Sequence, residues 1–187
     1  MIRVLPKLAI AAVAAMLALT TACSDKSHKP NDNNAGSQQA STPQRDPNKQ
    51  TFFPECGGVT DATVTQLTRV SSLVNTAKNS VGCQWLQNGG IQGPHFSFTW
   101  YRGSPIGRER KTEELSRTSV NDIDISGNKG FVAVQEDPTM GQILCEVGIQ
   151  FGADFFEWSI SFDRAPFPPA CDVAKELSRQ TIANMQK

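Results

Sequence analysis

Between Ile143 and Phe162, apolar and polar side chains alternate along the chain. Ile143, Cys145, Val147, Ile149 and Phe151 share one parity, and Phe156, Trp158, Ile160 and Phe162 repeat the pattern. A repeat of every second residue is what a strand with one buried face requires. Gly152-Ala153-Asp154 supplies the turn, so the two runs predict a long hairpin. His95 to Tyr101 has the same rhythm, with Phe96, Phe98 and Trp100 on one side. It follows Val81 to Gln87, where Cys83 and Trp85 share a face, across the turn signal Asn88-Gly89-Gly90. Val120 to Ile125 and Phe131 to Gln135 predict a further hairpin across Ser126 to Gly130.

Three segments have helical periodicity instead. Thr60 is a natural N-cap for a helix to about Val70, with Val59 and Val64 placed as a hydrophobic staple and Val64, Leu67 and Val70 turned inward. Ser104-Pro105 reads as an N-cap followed by a first-turn proline, opening a helix to about Thr118 whose only large apolar residues are Ile106 and Leu115. Glu113 and Arg117 stand four apart on it, which predicts a mostly solvated surface helix. Pro168-Pro169 opens the last helix, with Ala170, Val173, Ala174, Leu177, Thr181 and Met185 as its inner stripe and Lys175, Glu176 and Arg179 toward water. Ser71 to Ser80 is polar and ambiguous. The order is helix, two strands, helix, four strands, helix, without an internal repeat. It predicts an α+β fold, an antiparallel β-sheet covered by helices that include a C-terminal helix.

The N-terminal region follows different rules. Arg3 and Lys7 precede an apolar run from Leu8 to Leu19, and Leu17 to Ser24 reads Leu-Ala-Leu-Thr-Thr-Ala-Cys-Ser. This is a lipobox pattern, with Thr20 where Leu is commonest. It predicts that residues 1–22 are a signal peptide and that Cys23 is the lipidation site. The run is too short to span a bilayer as a helix, which favours cleavage over a retained anchor. An ordinary secretory signal leaving Cys23 as a free thiol is the alternative. Ser24 to Gln50 hold no Val, Ile, Leu, Met or aromatic residue. Such a composition buries too little surface to offset chain entropy, so residues 23–50 read as a lipidated cysteine and disordered tether. Its random-coil reach is roughly 25–30 Å. Residues 51–187 then suit a single extracytoplasmic globular domain.

That domain carries 12 Lys and Arg against 15 Asp and Glu, without a basic block, which argues against nucleic acid as a partner. After Cys23 four cysteines remain: Cys56, Cys83, Cys145 and Cys171. An even number in an exported chain predicts two disulfides. Three pairings are possible. Cys56–Cys83 and Cys145–Cys171 are favoured because each closes a modest loop. The absence of any C-x-x-C, or of a histidine near these cysteines, argues against a metal site.

Taken together, the lipobox, the polar tether, Cys56 before a short helix, Cys83-Gln84-Trp85, the strand residue Cys145 and Pro169-Ala170-Cys171 before the last helix resemble a family of actinobacterial, mycobacterial-type cell-envelope lipoproteins. These share a four-cysteine domain of unknown function. The resemblance covers about residues 53–186. It implies export, lipid anchoring and two bridges, and supplies no catalytic residues. A looser likeness, of architecture alone, is to the extracytoplasmic sensor domains of mycobacterial receptor kinases.

Candidate chemistry is sparse. A hydrolase needs a nucleophile with a base, and beyond His28 in the tether the mature chain offers only His95, on the polar side of its strand. Ser126-Gly127-Asn128-Lys129 spells S-x-x-K, but in a glycine-flanked turn and without the companion motifs of penicillin-binding proteins. Asp122, Asp124, Ser126 and Asn128 imitate half a calcium loop, with Ala133 where its terminal Glu belongs. The pairs Glu113-Glu114 and Glu136-Asp137 read as solvated. Arg108, Arg110 and Lys111 read as the wet face of a helix, or as a contact for an anionic headgroup or glycan. The aromatic face is either packed core or the wall of a pocket for a lipid or other amphiphile. The expected function is that of a membrane-anchored extracytoplasmic lipoprotein, non-enzymatic and without cofactor, that binds a ligand such as a lipid or an envelope partner. It would sit at the cell membrane facing outside the cytoplasm. The alternatives are an accessory or sensor subunit of a membrane kinase, transporter or synthase complex, and a cell-wall hydrolase.

Overall fold

The computed structural model describes residues 53–185. Cys23, the leader and the whole of the tether lie outside the described residues. Seven antiparallel strands form one sheet in the order β1-β2-β3-β7-β6-β5-β4. They are β1 (Leu73–Asn79), β2 (Gly82–Gln87), β3 (His95–Tyr101), β4 (Ser119–Ile125), β5 (Asn128–Asp137), β6 (Gly141–Phe151) and β7 (Asp154–Ser161). Two meanders, β1 to β3 and β4 to β7, are joined edge to edge where β3 pairs with β7 and Phe98 stands opposite Trp158. The α+β architecture, the antiparallel sheet and both expected bridges, Cys56–Cys83 and Cys145–Cys171, are present.

The three helices are α1 (Asp61–Thr68), α2 (Ile106–Ser116) and α3 (Ala170–Met185). Thr60 caps α1, its hydroxyl accepting from Thr63 N–H at 3.1 Å. The helix stops two residues short of Val70 because Arg69 takes a left-handed conformation. α3 lays Ala170, Val173, Ala174, Leu177, Thr181 and Ile182 on the sheet. Beneath it Trp85 stacks on Trp158 at 5.6 Å, and both are fully buried. The Trp158 indole N–H donates to Thr181 Oγ1 at 2.9 Å. Phe53 inserts edge-on among Trp100, Phe151 and Phe156. The aromatic face is therefore packed core.

Three local expectations need correction. The polar stretch 71–80 contains β1, an edge strand whose register shifts between Asn75 and Ala77. An edge strand buries little and therefore lacks clean alternation. Ser104 does not cap α2. The N-cap is Pro105, which makes no side-chain cap bond, and Ser104 Oγ instead accepts from Arg108 Nη2 at 2.8 Å. The hairpin between β4 and β5 is also tighter than expected. It turns on Ser126 and Gly127 alone, both at positive φ, with Asp124 Oδ1 accepting from Gly127 N–H.

Candidate functional site beneath the crossover helix

Strand order dictates where α2 must lie. β3 is central and β4 is the far edge, so the connection between them has to cross β7, β6 and β5. The aromatic face is occupied by α3, and α2 packs on the opposite one, against β4, β5 and β6. That second face reads as polar in the strands but is not simply wet. Tyr101 stacks on the fully buried Phe155 at 4.2 Å. The buried Phe131 lies over Gly148, where a Cβ would come within 2.5 Å of the ring.

At the C-terminal end of α2 these surfaces enclose charge. Glu113, Glu146 and Glu157 are buried, with side chains gathered around one guanidinium. Arg117 forks onto Glu146, its Nε donating to Oε2 at 2.7 Å and its Nη2 to Oε1 at 2.9 Å. Ser159 Oγ donates to the same Oε1 at 3.2 Å. Glu113 Oε2 lies 3.0 Å from Arg117 Nε, but that N–H is aimed at Glu146, so this oxygen has ionic contact without a hydrogen bond. Glu157 Oε2 is buried and also lacks a hydrogen-bond partner. Burial, the hydrogen bond to Glu146 and the Glu146 charge raise the Glu113 pKa to about 7, against the pull of Arg117. Burial, followed by the charges of Glu146, Glu109 and Glu113, holds Glu157 well above the usual carboxylate range. Burial and the same acids push the Tyr101 phenol up.

At the N-terminal end of α2 the helix and sheet part to leave a groove of about 280 Å³. Ile106 and Phe131 supply apolar wall, while Arg110, Asp122, Lys129 and Gln150 stand around it. Arg110 is held by Glu114 at 2.9 Å and by Asp122. Gln150 is spent on the carbonyls of Gly152 and Asp154. Lys129 has no ion-pair partner among the described residues. Gly107 faces open space, with nothing within 4 Å of where a Cβ would sit. A larger hollow of about 510 Å³ lies between α1 and the start of α3, but it is ringed by Gln66, Arg69, Asp172, Glu176 and Arg179, and its Arg179 is paired with Glu176. Apolar walls with a few converging polar groups make the groove the better binding candidate.

The residues singled out from sequence are thus scattered. His95 sits at the sheet surface, its Nε2 accepting from Gln84 Nε2 at 2.7 Å, and partial burial pulls its pKa below the ordinary value. Ser126 is a turn residue and Asp124 is consumed by that turn. Among the described residues no group of His, Cys, Asp or Glu is arranged to hold a metal. The basic trio divides, with Arg110 at the groove and Arg108 and Lys111 outside it. Glu113 corrects the solvated reading of the Glu113-Glu114 pair, because it is enclosed between helix and sheet. Glu146, Glu157, Tyr101 and Lys129 were missed. A signal existed for two of them: Glu146 and Glu157 interrupt the most apolar strands of the chain.

Comparison with known proteins indicates no enzymatic family. The family described as "Protein of unknown function (DUF3558)" matches residues 18–184. The protein named "Putative lipoprotein LprB" from Mycobacterium bovis is 62% identical over 178 residues, 95% of this chain and 94% of that protein. Its namesake from Mycobacterium tuberculosis H37Rv is 61% identical over the same length. The one from Mycobacterium leprae is 68% identical over 133 residues, 71% of each chain. No solved structure is significantly similar. With its two bridges, its seven-stranded sheet and a match along nearly its whole length, the chain belongs to the DUF3558 family of mycobacterial-type lipoproteins.

Proposed function

We propose that this protein is a lipoprotein held at the outer face of the cell membrane through Cys23, and that its domain acts by binding a membrane amphiphile in the α2 groove rather than by catalysis. The relatives' lipoprotein name and the lipobox at Leu17 to Ser24 support the anchor. No described helix is long and apolar enough to cross a membrane. The observation that carries the binding reading is the groove itself, with apolar Ile106 and Phe131 beside the ammonium of Lys129, which has no ion-pair partner among the described residues. That combination suits an acyl or other apolar group joined to an anionic head. Its position supports the same occupant. Phe53 enters the core beside Trp100 and Phe151, at the end of the sheet where Lys129, Gln150 and the start of α2 also lie. The described chain thus enters the domain, at Phe53, at the groove's own end of the sheet.

Gly107 offers a clean test, since a large side chain there enters open space and fills the groove. Replacing a helical glycine also removes a small entropic penalty. Native mass spectrometry of the full-length protein in mild detergent should show an amphiphile bound to wild type and absent from Gly107→Trp, with unchanged unfolding. A wild type that carries none, or equal occupancy in Gly107→Trp, would refute the groove. Separately, Cys23→Ala should move the protein from the detergent phase to the aqueous phase. Retention in the detergent phase would refute the anchor.

A further inference from the structure

We propose that α2 is a movable wall of the groove, latched onto the sheet by the single buried carboxyl of Glu113 and released when that carboxyl loses its proton. The groove's significance as a ligand site rests on the function proposed above, but the latch itself does not.

The argument begins with what α2 lacks. Its inward stripe is Ile106, Glu109, Arg110, Glu113 and Arg117, only the first of which is apolar. Leu115, the other large apolar residue, is 90% exposed. Only Glu113 is buried along the helix, whereas α3 buries eight residues. A helix normally stays on a sheet by covering apolar surface. α2 is held instead by polar contacts, the enclosed cluster of Glu113, Arg117 and Glu146 at one end and the exposed Arg110–Asp122 pair nearer the other. The other end is free of a side-chain cap and follows Gly103, which sits at positive φ and can absorb a hinge motion.

The contacts at the held end carry a charge imbalance. Facing Glu113 are Glu109 and Arg117 from its own segment, Glu146 from β6 and Glu157 from β7, with Tyr101 of β3 in the same field. At the groove end Arg110 is matched by Glu114 and Asp122, and Lys129 of β5 lies at the groove rather than at the cluster. One guanidinium, Arg117, therefore serves three buried carboxyls, and its fork is committed to Glu146. Protonated Glu113 donates to Glu146 and closes the seam with a hydrogen bond. Ionised, it has no donor of its own and repels Glu146 across a desolvated gap. The cheapest relief is to lift the helix into water. That motion carries Ile106, Gly107 and Arg110 away from Asp122 and Phe131, which opens the groove.

Amide hydrogen exchange on the full-length protein in detergent, without added ligand, tests this directly. Rates are corrected for the intrinsic pH dependence of exchange and compared with α3. Protection of residues 106–116 should fall at least about tenfold between pH 5.5 and 8, since each unit of pKa difference between closed and open states is a factor of ten. Protection of 170–185, which is lost only when the whole domain opens, should stay well above that of 106–116 across the range. Glu113→Gln keeps a neutral donor at the same place and should stay closed across the range. Glu146→Gln, which removes the repelling charge that raises the Glu113 pKa, should shrink the fall and end it at lower pH. Constant α2 protection in wild type would overturn the latch, as would an undiminished fall in Glu113→Gln. If the groove binds nothing in native mass spectrometry but α2 still opens with pH, the ligand reading fails and the latch stands.

Discussion

The bond between Trp158 and Thr181 fastens α3 over the aromatic face, and removing it tests whether that face is sealed core. Both residues are fully buried, and the indole N–H has Thr181 Oγ1 at 2.9 Å. Thr181→Val keeps the shape and leaves the donor unsatisfied in a region closed to water. An orphaned buried donor costs about 1–3 kcal/mol, against a stability of about 5–15 kcal/mol for a domain. The variant should therefore fold, with a midpoint several degrees lower. Because Trp158→Phe removes the donor at its source, Thr181→Val should cost far less in that background. The coupling, read from urea unfolding followed by tryptophan fluorescence, should be about 1 kcal/mol or more. A coupling under about 0.3 kcal/mol would mean that water or another group reaches the indole. The face under α3 would then be open, and the reasoning that places the ligand site under α2 would lose its contrast.

Two further outcomes follow from the same packing. Cys145→Ala with Cys171→Ala frees the start of α3 from the centre of β6. For a sequence separation of 26, the loop-entropy account gives about 3.5 kcal/mol, so denaturant midpoints should drop. A loss under about 1 kcal/mol would show that packing alone seats the helix. The Glu113 pKa sets a pH window for the whole domain. The unfolded chain releases this proton near 4.5 and the native state near 7, so the native state binds more protons between them. Stability should fall as pH rises through that range and level off above it. In Glu113→Gln this component of the fall should vanish, and an identical profile in wild type and variant would refute the assignment.

Much of this molecule is decided by local pattern. Alternation along β2, β3, β6 and β7 depends only on side chains pointing to opposite faces of a strand, and that parity is written directly in residues such as Cys145, Val147 and Ile149. The inner stripe of α3, the Thr60 cap and the spacing of the four bridge cysteines are legible for the same reason, since each is a property of one segment or of loop length. β1 was not legible, because an edge strand is recruited by its neighbour's hydrogen bonds more than by its own apolar content.

The candidate site was hidden for a stronger physical reason. Glu113 and Glu114 are indistinguishable as neighbours in the chain. One is buried and the other exposed only because α2 must cross from the central β3 to the edge strand β4. Glu146 and Glu157 become partners only because β6 and β7 lie side by side beneath that crossing. Local pattern determined the strands, the bridges and which side of the sheet is core. The burial of charge under α2, and the groove at its other end, were decided by strand order, which brings distant carboxyls into one desolvated seam.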